Sequence, residues 1–276
     1  MWWLASTLAF GGTPDAKDSL LNSTEAPVAV RLRAELGTVG QLRHQLQINE
    51  NGTDVSLPKD LAQDVLFAFT RLQVDLDLGK NRRDTLILLY QPLVFASQLA
   101  PDRDLQIGDV TFAQGRALSF RYSFPYYRLT WLHDTTEATD REIAFGLGLQ
   151  IRNASIGYTA LDGSQSVITT NIGPVPLLAF RQRHTLTKNV FLGSEIQGFY
   201  APISLINGST SDVEGAIADA RITLGLQGPK GLDGWVSLRY IGGGAVGTSN
   251  NADPFTDGFT RNWLHTLALT VGSTVR

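Results

Sequence analysis

The stretch RLQVDLDLG, residues 71–79, alternates without a fault: Leu72, Val74, Leu76 and Leu78 fall on one side, Arg71, Gln73, Asp75 and Asp77 on the other. A strand sends successive side chains to opposite faces, so this segment has one apolar face and one charged face. In a soluble sheet the leucines would pack into a core. In a membrane barrel they would face lipid, and the charges would line the lumen.

The same alternation recurs along the chain. VAVRLRAEL (28–36) sets Val28, Val30, Leu32, Ala34 and Leu36 opposite Arg31, Arg33 and Glu35, and the phase continues through Leu42, Leu46 and Ile48, which predicts a long first strand. Further strands are expected at 66–78, from near 85 to about 112, and at 117–133, 142–159, 174–186, 190–203, 215–227, 234–246 and 258–274. That makes about ten, an even number of the kind single-chain outer-membrane barrels carry.

The connections sort by parity. GKNRRD, TTEATD, TKN and GPKGLDG follow strands two, four, six and eight, whereas longer polar segments (49–65, about 100–116, 160–173, 204–214 and 247–257) follow the odd strands. Tight periplasmic turns alternating with long external loops produce this order; a sandwich has no reason to. The expected fold is an all-β, antiparallel, up-and-down transmembrane barrel of about ten strands (8–12) over residues 28–276. Its aromatic girdles would be Trp131, Phe145, Phe191 and Trp235 at the short-turn end and Tyr158, Tyr200, Phe259 and Trp263 at the long-loop end.

Two features fit this scheme badly. Strand three is apolar on both faces between Leu86 and Phe95, and Pro125 lies mid-strand, where a bulge is expected. The chain also ends on Arg276, where such barrels usually carry an aromatic residue.

Composition narrows the function classes. The net charge of −3 and the lack of a Lys/Arg-rich run leave no electrostatic footprint for nucleic acid. The absence of cysteine excludes a disulfide scaffold, a thiol nucleophile and a cysteine-ligated zinc site. Residues 1–27 read as a signal remnant or a polar lead-in: MWWLASTLAFGG is apolar but has no basic residues before it. The most helix-like apolar run, TLILLYQPLVFASQLA (85–100), is too short and is interrupted by Gln91 and Pro92, so no spanning helix is expected there.

FRYSFPYYRLTWLH (120–133) and GPVPLLAFRQRHTLTKNVFLGSEIQGF (173–199) carry a resemblance. The chain resembles small bacterial outer-membrane β-barrels, and more narrowly a widespread, largely uncharacterised group in which a Tyr-Arg-Leu strand precedes a short turn and a later Pro-Leu-Leu strand leads into a tight hairpin. The resemblance implies a fold, an outer-membrane location and lipid as the surrounding partner. It brings no catalytic residue and no cofactor.

The residues themselves offer little chemistry. His44, His133, His184 and His265 show no metal-ligand spacing and no nucleophile motif; His265 has the lipid-facing parity of Trp263 and Leu267. The Asn-x-Ser/Thr sites at Asn22, Asn51, Asn153 and Asn207 carry no meaning in a bacterial barrel. The inward charges are more informative. Glu195, Arg221 and Arg239 are expected at similar heights in the lumen, Arg31 and Arg33 opposite Asp75 and Asp77, with Glu35, Arg71 and Arg152 completing the set. Ten strands leave little bore beyond side chains, so the expectation is a largely plugged, non-enzymatic barrel with a structural or surface-interaction role, or a narrow channel for a small solute. The alternatives are an outer-membrane hydrolase using Asp102, Asp104 or Asp253, and a soluble β-barrel or sandwich acting as a binding module. No metal or cofactor is expected.

Overall fold

The computed structural model describes residues 21, 26–202, 212–248 and 257–276. Ten antiparallel strands form the wall. They are β1 (Val28–Ile48), β2 (Leu66–Leu78), β3 (Asp84–Gln91 and Val94–Leu99), β4 (Leu118–Ser123 and Tyr126–Asp134), β5 (Arg141–Ala160), β6 (Ser166–Thr185), β7 (Val190–Pro202), β8 (Asp212–Gln227), β9 (Leu232–Thr248) and β10 (Phe259–Val275). Each pairs with its neighbours in sequence, and β10 returns to β1 from Leu32↔Val275 to Ile48↔Thr260, closing the barrel. Most of the lead-in, together with Asn22, Asn207 and Asp253, lies outside the described residues.

The wall is inverted relative to a soluble protein. Leu72 on β2 is 50% exposed and Leu269 on β10 is 65% exposed, while Asp75 is fully buried. Leu147, Leu149, Leu178, Ile196, Ile222, Leu224, Val236 and Leu238 continue the exposed band around the circumference. A contiguous apolar exterior of this extent needs a hydrocarbon solvent, and a closed ladder leaves no edge to desolvate. The leucines of the opening stretch therefore face lipid, and the soluble alternative is excluded.

Three details differ from the sequence reading. First, the phase of β1 does not persist. The register shifts between Gln41 and Arg43, a bulge that leaves Leu42 exposed and turns His44, Leu46 and Ile48 inward, all buried. Second, the connection expected at 160–173 is only 161–165. β5 and β6 pair up to Thr159↔Ser166, because SVITT continues the alternation with Val167 inward and Ile168 outward. The strict alternation of short and long connections therefore fails at this hairpin. Third, the third strand ends at Leu99, and 105–107 and 110–112 form a separate small hairpin.

Two breaks in the wall face each other. β3 is interrupted at Pro92–Leu93 and β4 at Phe124–Pro125, and the segments on either side pair independently, Gln91↔Tyr126 below and Val94↔Ser123 above. Each proline removes a ladder donor, and placing both at one level confines the irregularity to one point. The backbone N–H of Phe124 still reaches the carbonyl of Leu93 at 2.7 Å.

The two ends of the barrel interior are filled differently. At the long-loop end, Val39, Leu46, Ile48, Phe69, Phe95, Leu118, Phe120, Tyr122, Ile156, Tyr158, Ile241 and Leu264 project inward. They pack with Val55, Leu57 and Leu61 of the first loop and with Leu105, Ile107 and Phe112 of the small hairpin. The double apolar face of β3 is explained by this cluster: Leu93 and Phe95 belong to it, and Ile87 joins Leu132, Ala144 and Ala179 in a smaller cluster lower down.

Candidate functional site

Below the apolar cluster the inward positions are charged, and the alternation of the strands fixes which residues arrive there. On β2 the odd residues Arg71, Gln73 and Asp75 are buried; on β8 and β9 the same parity brings in Asp219, Arg221, Asp233, Ser237 and Arg239. At about ten strands the bore is too wide for short side chains to meet, and arginine is long enough to cross it. Arg71 from β2, Arg128 from β4 and Arg239 from β9 converge on the single carboxylate of Asp219 on β8, at 2.8, 2.9 and 2.5 Å. From β1, Arg33 crosses to Glu195 on β7 at 3.2 Å.

The remaining pairs form tiers below Asp219. Glu35 accepts from Arg239 at 3.0 Å, Ser237 Oγ at 2.9 Å and Thr270 Oγ1 at 2.6 Å, with Arg221 at 3.6 Å. Arg221 also donates to Glu195 at 2.7 Å. Asp75 faces Arg33 at 2.9 Å and both Arg31 and Arg181 at 3.5 Å, and Asp77 takes Arg31 at 2.5 Å. Nearer the short turns, Glu142 holds Arg181, while Asp233 holds Arg183 at 3.2 Å and Arg276 at 2.8 Å. Neutral side chains close the top tier: Arg128 donates to Gln150 and Gln197, Arg71 to Gln91, and Tyr126 Oη to Gln91 at 2.6 Å.

Buried charge is tolerated only when paired and hydrogen-bonded. Among the described residues every carboxylate of the lumen has an arginine on it, and Asp75 and Asp219 have three each. The arginines of these pairs (31, 33, 71, 128, 181, 183, 221, 239 and 276) outnumber the acids (35, 75, 77, 142, 195, 219 and 233). A cavity of about 30 Å³ lies among Arg33, Arg181, Arg183, Glu195 and Arg221, room for little more than a water molecule.

The sequence-derived residues fall as follows. Arg31 and Arg33 meet Asp77 and Asp75, and Glu195 meets Arg221. Arg239 is in register with Arg221 but turns to Glu35 and Asp219 instead of Glu195. Arg152 stands higher, opposite Tyr126. Sequence reasoning missed Arg128, Glu142, Arg181, Arg183, Asp219, Asp233 and Arg276. Parity alone would have found Asp219, two residues from Arg221, and Arg128, between the outward Tyr127 and Leu129.

The girdle needs correcting. Trp131, Phe145 and Tyr200 are exposed on the outer wall, and Phe259 and Trp263 share the outward parity of Leu267 and Leu269. Tyr158, Phe191 and Trp235, however, are buried inside. Tyr158 has the parity of Arg152 and packs on Phe120, ring centroids 4.9 Å apart. Phe191 and Trp235 have the parity of Glu195 and Arg239, and each lies across an inward glycine of the next strand, Phe191↔Gly225 and Trp235↔Gly272. A Cβ at either glycine would fall within the facing ring. The guanidinium of Arg183 covers the Phe191 ring at 3.6 Å, an arginine–aromatic contact that a lipid-facing ring could not make.

Little else in the described residues suggests catalysis. His133 Nδ1 lies 2.9 Å from Asp84, which Trp131 Nε1 also reaches at 3.1 Å, all on the outer wall near the short turns. His44 is buried in the apolar cluster beside Gln63. Asp104 accepts the backbone N–H of Gln114, and the backbone carbonyl of Asp102 accepts its side chain, so these acids shape the loop around the small hairpin. No group of three or more His, Cys, Asp or Glu among the described residues could hold a metal ion.

No family model and no curated protein matches the chain. Among solved structures, the outer membrane protease OmpT from Escherichia coli matches with a TM-score of 0.55 at 9% identity, covering 92% of this chain and 99% of OmpT. The Pseudomonas putida toluene transporter TodX matches at 7% identity and a TM-score of 0.36, covering 92% of this chain and 91% of its own. Ail of Yersinia pestis, solved with the heparin analogue sucrose octasulfate, matches at 9% identity and a TM-score of 0.35, covering 89% of this chain and 98% of its own. At 9% identity the likeness to OmpT concerns the fold. That fold and the lipid-facing wall make the chain a bacterial outer-membrane β-barrel.

Proposed function

We propose that this barrel is non-enzymatic and non-conducting, a structural or surface-interaction protein whose lumen is sealed twice. The observation that carries the reading is the convergence of Arg71, Arg128 and Arg239 on Asp219, which ties four strands together across the bore beneath a continuous apolar cluster. An ion on a path through the lumen would have to displace arginines from carboxylates and then enter a region lined by Phe95, Phe120 and Leu118. Either step is costly in a low-dielectric interior. With the bore closed, contact with other molecules falls to the long-loop end, where the β5–β6 hairpin stands next to the loop of the small hairpin. Arg116 ties the two together through Asp162 at 2.6 Å.

The test is conductance in planar bilayers, using protein refolded in detergent and first shown to be a closed barrel by a band on SDS gels that shifts only on boiling. Negligible current is expected at every voltage the bilayer withstands. Stable unitary steps from the heat-modifiable material would overturn the sealed lumen and favour a narrow solute channel.

A further inference from the structure

The bulge in β1 has a consequence on the outside of the barrel. It turns Arg43 outward beside His265, and the pairing continues with Gln45↔Trp263 and Gln47↔Arg261. Arg43, Gln45, Arg261, Trp263 and His265 line a shallow, largely open groove on the outer wall. Arg261 is bonded to Asp54 at 3.0 Å, and Gln45 Nε2 donates to both oxygens of that carboxylate. Arg43 is exposed; it donates to Gln45 Oε1 and forms no ion pair among the described residues. His265 is positioned by Tyr240, whose hydroxyl lies 2.6 Å from its Nδ1.

Height in the membrane identifies what this groove meets. A strand rises about 3.4 Å per residue and tilts about 40° in such barrels, so each residue of β10 climbs roughly 2.6 Å. From Val275, at the short-turn end, the exposed Leu267 is then about 21 Å up and Trp263 about 31 Å up, either side of the top of an apolar band about 25 Å tall. Leu267, Leu269 and Val271 lie directly beneath the groove, exposed to acyl chains. The groove itself opens at the headgroup level of the leaflet on the long-loop side.

We propose that this groove binds the phosphate of an outer-leaflet lipid, with its acyl chains running down Leu267, Leu269 and Val271. The planar guanidinium forks of Arg43 and Arg261 match phosphate oxygens, and Trp263 has the amphipathic ring that settles at such an interface. Asp54 tempers one arginine and leaves the other available, an arrangement that holds an anion without a permanent excess of repulsive charge in its absence. Free phosphate shares this chemistry, but the apolar run beneath the groove points to a lipid.

The test is native mass spectrometry of the full chain, folded in a maltoside detergent, with three probes: a dilauroyl phosphatidic acid, the corresponding diacylglycerol and inorganic phosphate. Phosphatidic acid is expected to bind about tenfold more tightly than diacylglycerol, and Arg43→Gln combined with Arg261→Gln to remove that preference. Arg141→Gln, which removes an exposed arginine at the opposite rim, is expected to leave it intact. Equal binding by the double variant, or an equal loss in Arg141→Gln, would overturn a specific site in favour of general surface charge. Displacement of the lipid by an equal concentration of inorganic phosphate would overturn the lipid as ligand. Should the double variant give no heat-shifted band, Arg43→Gln alone carries the test, with a loss of about threefold expected and no loss overturning the site.

Discussion

The two ends of the lumen solve one problem with opposite chemistry. Around Phe120 the bore is filled as a soluble protein fills its core, by side chains and inserted loops that exclude water. Around Asp219 it is filled by long cations reaching across to shared carboxylates. The apolar end draws its filling from two loops as well as from the wall, because the long connections lie at that end. The charged end has only tight turns above the periplasm, so the wall must fill the bore itself, and arginine is the side chain long enough to do so. Loop length thus decides which chemistry each end uses.

The difference predicts unequal tolerance to substitution. Asp219→Ala would leave three buried arginines short of a counter-charge, and breaking one buried pair already costs about 3–5 kcal/mol. The expected outcome is the largest loss of any single variant: a lower urea midpoint in detergent and a lower temperature for the heat-modifiable shift. Phe120→Ala removes a ring from the apolar end and should cost about 3 kcal/mol, less where the inserted loops can settle into the space. An Asp219→Ala variant no less stable than Phe120→Ala would show the charged tier to be well hydrated, and would erase the contrast between the two ends.

The sequence revealed one end of this comparison more readily than the other. A period of two is explicit in RLQVDLDLG, so the inward set on β2 and its partners Arg31 and Arg33 could be read directly. Asp219 and Arg128 were just as accessible by parity, but nothing local marks a residue as the meeting point of strands far apart in sequence. The apolar end was hidden for a different reason. Leu46 and Ile48 change faces at a bulge just after Gly40, a residue that signals a possible bulge without fixing which way the phase shifts, and Leu57, Leu105 and Phe112 lie in loops whose inward fold depends on a bore being there to receive them. Phe191 and Trp235 lie near strand ends, where a lipid girdle is expected, but they share the parity of Glu195 and Arg239 on their own strands, and that parity turns them into the lumen.

Those two aromatics supply a smaller, sharper test within the charged end. Phe191 covers Gly225, and Arg183 covers Phe191, so a side chain at Gly225 must push the ring towards the arginine or out of the lumen. Gly225→Val is expected to cost about 1–3 kcal/mol by overpacking, with the urea midpoint reduced while the fold is kept. Adding Phe191→Ala should recover part of that loss, since the removed ring vacates the space valine needs. No recovery in the double variant would mean that Gly225 is required for its backbone alone.

The smallest expected effect lies above both lumenal regions, at the tip of the β5–β6 hairpin. Asp162 accepts the hydroxyl and backbone N–H of Ser164 and pairs with Arg116; these bonds favour its ionised form and hold its pKa at about 2, below the ordinary 3.8. A lowered carboxylate pKa contributes stability that is complete above the unfolded value and disappears as the pH falls through the folded one. The window here runs from just above 3.8 down to about 2. Asp162→Asn should therefore speed amide exchange in 161–165 at pH 7 and leave the barrel strands unchanged. In the parent protein, exchange at the tip, corrected for its intrinsic pH dependence, should hold constant from pH 7 to about 5 and rise relative to the variant's only in that acid window. A parent and variant that exchange alike at pH 7 would mean that the ladder of β5 and β6, rather than the Asp162 bonds, holds the tip in place.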